Sequence, residues 1–175
     1  MTIRGCRAAA LAAIWLSVSP DVGTTNQSHP AAVSAAHEEI AVTMRARGTF
    51  EVELTPENPD GTPADSALGR LRIVKRFHGD LDGSSRGQML TAMTPVEGSA
   101  GYVAIERVSG TLLGRAGTFV LQHSGTMSQG RQQLTISVVP NSGTGELAGL
   151  EGQMAITIAN GRHSYAFEYT LPAGP

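Results

Sequence analysis

From residue 44 onward, apolar and polar positions alternate with a period of two far more than with the period of a helix. In "RGTFEVEL", Phe50, Val52 and Leu54 alternate with Thr49, Glu51 and Glu53, the pattern of a half-buried strand. "TPENPDGTPADS" carries three prolines and a glycine and predicts a loop. "LGRLRIVKRFHGDL" sets Leu71, Ile73, Lys75 and Phe77 against Arg70, Arg72, Val74 and Arg76. "DGSS" then predicts a turn and "RGQMLTAMT" a strand ended by Pro95. "GYVAIERVSGTLLG" and "GTFVLQHSGTM" follow around a bend containing Gly114 and Gly117. "QLTISVVP" is a strand stopped by Pro140, and "NSGTGELAGLEG" is a turn-rich connector. "QMAITIAN" and "HSYAFEYTL" form a hairpin across Asn160-Gly161, a pair suited to a two-residue turn with both residues at positive φ. The result is about eight strands at the spacing of a sandwich or barrel. No segment supports a helix beyond a turn or two, so the domain is all-β and antiparallel. Closure into a barrel would remove its exposed edges.

The chain holds 21 glycines, which suits short elements and tight turns. Those in "SGTLLGRAGTF", "HSGTM" and "NSGTGELAGLEG" mark either corners of a strongly coiled sheet or ordinary hairpin turns. With 13 basic and 15 acidic residues the net charge is -2, so no basic field recommends nucleic acid as a partner. No apolar run reaches the length of about 18 residues that a spanning helix needs, so integral membrane contact is not expected. The single cysteine, Cys6, excludes an internal disulfide and a cysteine-held metal, and no cofactor is implied.

Residues 1–43 are set apart from the domain at 44–175. "MTIRGCR" is basic and "AAALAAIWLSVS" is apolar, with a small-residue step at Val33-Ser34-Ala35. Read as a signal peptide over residues 1–35, this directs the protein to the cell envelope or outside the cell. That step stands farther from the apolar stretch than a cleavage site normally does. Two alternatives remain: a plain disordered tail, and a translation start at Met44 that leaves the protein cytoplasmic.

The blocks "ERVSGTL", "GTFVLQHSG" and "VVPNSGTGELAGL", within a span from "MRARGTFEV" to "YAFEYTL", resemble a bacterial family of unknown function. Its members adopt the barrel of plant allene oxide cyclases and, more distantly, of dirigent proteins. The resemblance implies a single eight-stranded antiparallel barrel of the allene-oxide-cyclase-like type, with room for a small apolar molecule. It also implies assembly as a homodimer or homotrimer. It supplies no mechanism, and fold alone transfers none.

The chemistry rests on polar residues that interrupt apolar faces. Glu106 shares a face with Tyr102, Ala104 and Val108. Burial of its carboxyl would raise its pKa and suit a general acid or base, or a ligand anchor. The competing reading is a structural pair with Lys75 or Arg107. His123 shares a face with Phe119 and Leu121 and could shuttle a proton, or it could simply hold the glycine turn beside it. Glu106 and His123 are therefore the candidate catalytic residues. Lys75, inside the barrel or snorkelling from its rim, joins Tyr102, Tyr169 and Phe119 as candidate ligand-binding residues. Tyr165 offers a phenol to a cavity or packs with its hydroxyl at the edge, and His163 reads as a solvated hairpin residue.

Three motif matches carry no site. "GSSRG" fits a nucleophile elbow at Ser85 but lacks the strand–turn–helix setting. The glycines of "SGTGELAG" miss the phosphate-loop spacing. "HGDLDG" brings His78, Asp80 and Asp82 together without the other ligands of a calcium loop, and no metal site is expected. Three functions remain open: a barrel binding a small apolar molecule, a cofactor-free isomerase or cyclase, and a filled structural barrel.

Overall fold

A computed structural model of the chain describes residues 42–57 and 67–172. The expected N-terminal extension lies outside them up to residue 41, as does most of the proline-rich loop. Nine strands follow one another: β1 (Met44–Pro56), β2 (Leu68–Gly79), β3 (Leu81–Met93), β4 (Ala100–Leu112), β5 (Arg115–Ser128), β6 (Arg131–Val138), the two-residue β7 (Thr144–Gly145), β8 (Glu151–Ala159) and β9 (Arg162–Thr170). Eight of them close an antiparallel ring in the order β1-β2-β3-β4-β5-β6-β8-β9, and β7 lies against β5. The expected eight-stranded barrel is thus present. Its wall is thinnest between β6 and β8, which pair through Ser137 and Gln153.

Period-two alternation carries the burial. On β2, Ile73, Lys75 and Phe77 point inward and are buried, while Arg72, Arg76 and His78 face solvent. Three two-residue hairpins share one geometry, at Leu113-Gly114, Gln129-Gly130 and Asn160-Gly161, with φ of 48° and 84°, 50° and 81°, and 51° and 74°. Both central residues at positive φ match the twist of the flanking strands.

Two boundaries differ from the sequence reading. The turn before β3 is at Gly79-Asp80, and "DGSS" belongs to the strand. The reason is tertiary. Gly83 is pressed against Ser109 and Gly110 of β4, and Ser85 points inward to a buried partner. Likewise Gly117 lies inside β5 and not in the preceding bend.

Gly117 belongs to a row of glycines crossing four strands, Gly83–Gly110–Gly117–Gly145, each opposite the next. A Cβ on Gly110 would run into the Asp82 carbonyl and the Gly83 Cα, both backbone. The row therefore marks a coiled corner of the sheet where side chains cannot fit. Gly110→Ala is expected to lose about 1–3 kcal/mol, because backbone must shift to admit the methyl. Urea titration of the two proteins measures it, and an unchanged midpoint would show that this corner has slack.

The interior is divided. Toward the end bearing the β4–β5 turn, Phe77, Leu81, Leu112, Phe119, Leu121 and Phe167 fill the lumen. Leu147 and Leu150, from the connector after β7, are fully buried in the same cluster. Tyr165 tightens this end: its hydroxyl accepts from the Leu81 N–H at 2.8 Å and donates to the His78 carbonyl at 3.3 Å. Toward the other end the lumen is open.

Candidate functional site

Four polar side chains from four neighbouring strands meet between the filled and open halves. Glu106, wholly buried on β4, receives three hydrogen bonds. Lys75 Nζ donates to Oε1 at 2.8 Å, His123 Nε2 bonds Oε1 at 3.1 Å, and Ser85 Oγ donates to Oε2 at 3.0 Å. Register explains the convergence. Lys75 stands opposite Ser85, Gly87 opposite Glu106, and Ala104 opposite His123, so the Ser85 and His123 contacts run diagonally across adjacent strands while Lys75 reaches Glu106 across β3. Gly87 leaves the space that Glu106 needs, since a Cβ there would lie 2.6 Å from the Glu106 Cβ.

Burial alone would raise the Glu106 pKa, as expected from the sequence. The hydrogen bond from His123, the charge of Lys75 and that of His123, and the Lys75 hydrogen bond outweigh it and hold the carboxyl below its usual range. This corrects the expected raised pKa: the donors keep Glu106 ionised. Its partner is Lys75, so Lys75 neither snorkels out nor leaves the pairing to Arg107, which faces outward and bonds Thr118. The Lys75 ammonium also lies 5.2 Å from the Phe50 ring centroid and 5.9 Å from that of Phe77.

Above this cluster opens a cavity of about 420 Å³. Lys75, Tyr102 and His123 contribute to one wall, from β2, β4 and β5. Val52, Leu54, Leu134, Ile156 and Ile158 supply apolar surface from β1, β6 and β8. Among the described residues, neither the Tyr102 hydroxyl nor His123 Nδ1 has a hydrogen-bond partner. The Tyr102 phenol is pushed above its ordinary pKa by burial and then by the charge of Glu106, so it remains a donor. Its ring rests on Gly125, where any side chain would collide with it.

The structure therefore brings Glu106, His123, Lys75 and Tyr102 together, with Glu106 beneath the cavity lining. Phe119 and Tyr169, expected beside a ligand, are outside that lining. They pack on either side of Phe167, with ring centroids 5.8 and 5.2 Å away, because their strand positions face the filled half. His163, expected to be solvated, lines the cavity with its ring 5.1 Å from Phe50. Ser85 was missed. Its place in the inward series Leu81, Gly83, Ser85 was the available signal, obscured by the turn-like composition around it.

The set-aside acids form no joint site: Asp80 accepts from the Arg47 N–H and Asp82 pairs with Arg76. Among the described residues no cluster of three potential metal ligands occurs, and no helix is long and apolar enough to cross a membrane.

Residues 46–169 match a family described as Protein of unknown function (DUF3224). The chain belongs to that family. A solved DUF3224 structure, a protein of unknown function from Shewanella oneidensis MR-1, is 52% identical. It superposes with a TM-score of 0.70, covering 75% of this chain and 100% of its own. None of the curated proteins compared with the chain matches it. DUF3224 membership and this neighbour carry the barrel fold and leave its biochemical role open.

Proposed function

We propose that the protein binds a small, mostly apolar molecule in the open half of its barrel. The observation that carries this is the 420 Å³ cavity with a largely apolar lining and a few polar groups, Lys75, Tyr102 and His123 on one wall with Gln132 and His163 elsewhere. Its volume falls within the range of small-molecule sites, and a few convergent polar groups on an apolar lining are their usual make-up. The filled half supplies the rigidity that holds the cavity open, so the structural-barrel alternative describes only one end.

Titration with the apolar fluorophore N-phenyl-1-naphthylamine tests this reading. Saturable binding of one probe per chain is expected. Met89 lines the cavity, and Met89→Trp is expected to weaken binding at least about 10-fold by occupying the volume while strand circular dichroism stays unchanged. Binding indifferent to that substitution would place the probe elsewhere and overturn the proposal.

A cofactor-free isomerase or cyclase that folds a flexible apolar substrate in the barrel is the second reading. It is favoured by the unpartnered Tyr102 hydroxyl and His123 Nδ1, which could polarise or move a proton on a confined substrate. Three donors on an ionised carboxylate make Glu106 the orienting group for His123 and Lys75 in that reading, and no longer the acid.

A further inference from the structure

We infer that the ligand is a neutral carbonyl compound, a ketone or ester with an apolar tail, whose oxygen is held by the Tyr102 hydroxyl and the Lys75 ammonium. This rests on the proposed binding function and names its ligand class.

The wall offers donors. The Tyr102 hydroxyl is unpartnered among the described residues, and the Lys75 ammonium carries three protons, of which one is on Glu106. Tyr102 is half-buried at the cavity wall, and a ligand that covers its hydroxyl without accepting from it strands a donor, so an oxygen acceptor is held better than a pure hydrocarbon. The charge balance then selects among acceptors. Lys75 and Glu106 already form a buried ion pair at 2.8 Å, so the Lys75 charge is already compensated. A carboxylate placed there would add a second anion beside Glu106, and like charges repel. An alkylammonium head would meet the like charge of Lys75. A neutral carbonyl uses the donors and brings no charge.

Displacement of N-phenyl-1-naphthylamine by matched compounds provides the test, using methyl octyl ketone, decanoate, decylammonium and decane. The ketone is expected to displace the probe about 5–10-fold better than each of the other three. Tyr102→Phe is expected to remove most of its advantage over decane while probe binding persists. Glu106→Gln is expected to improve decanoate about 10-fold, because Lys75 is then left without its anion. If Glu106→Gln does not fold, the head-group ranking in the wild type and the Tyr102→Phe comparison decide alone. Decanoate ranking first in the wild type, decane matching the ketone, or an advantage untouched by Tyr102→Phe would each overturn the inference while leaving the binding function standing. Failure of the probe itself to bind would remove both.

Discussion

Glu106→Ala is expected to lower the unfolding free energy by about 3–5 kcal/mol, the range for breaking a buried ion pair by removing one partner. The carboxylate is wholly buried and accepts from Lys75, His123 and Ser85 at 2.8, 3.1 and 3.0 Å. Removing it orphans three donors, one of them the ammonium of a buried lysine, and leaves a void beside Gly87. Most of the loss comes from stranding Lys75. Lys75→Met combined with Glu106→Leu is therefore expected to recover much of the stability that Glu106→Ala loses, since apolar replacement of a whole pair is often neutral. Urea denaturation of the single and double variants measures this. A loss below about 1 kcal/mol for Glu106→Ala would mean that water reaches Lys75 and that the lumen is wetter than described.

The same carboxyl makes stability depend on acid. Its pKa is lower in the folded chain than the ordinary 4.5 that it regains on unfolding, so near that pH the unfolded chain binds more protons. The contribution of Glu106 is complete above 4.5 and is lost as the pH falls through the lower folded value. Glu106→Gln should lack that part of the acid-induced loss. Parallel pH profiles for the two proteins would assign the acid sensitivity to other groups.

The second large effect lies in the filled half. Phe167→Ala is expected to destabilise by about 3–5 kcal/mol, the combined result of lost apolar transfer and an unfilled cavity. Phe167 is fully buried and its ring is stacked between Phe119, at 13° to it, and Tyr169, at 27°. Gly152, opposite Tyr169, leaves room for this stack, since a Cβ there would come within 2.9 Å of the Phe167 ring. Because Phe167 is not part of the cavity lining, probe affinity measured where the variant is still folded should hold. The two readouts separate stability from binding. A small destabilisation accompanied by altered probe affinity would show that the two halves of the lumen are one soft space.

Much of this was legible along the chain. Alternation places Glu106 with Ala104 and Val108, Lys75 with Ile73 and Phe77, and His123 with Leu121 on inward faces, because the pleat sends every second side chain to the same side. Asn160-Gly161 marks its hairpin through local backbone preference alone. Both are properties of a residue and its neighbours. Ser85 and the Gly79-Asp80 turn were not legible, since "DGSS" is turn-like by composition and only pairing with β4 keeps it extended.

The amino-acid order by itself determined the strands, the sidedness of each and the small set of polar groups that must face inward. Tertiary structure alone decided which of those groups meet, which end of the lumen is filled, and the sign of the Glu106 pKa shift. The physical reason is that inwardness follows from a local period of two. Partnership across a barrel wall depends on register between strands far apart in sequence, and the ionisation of a buried carboxyl depends on the donors that register delivers.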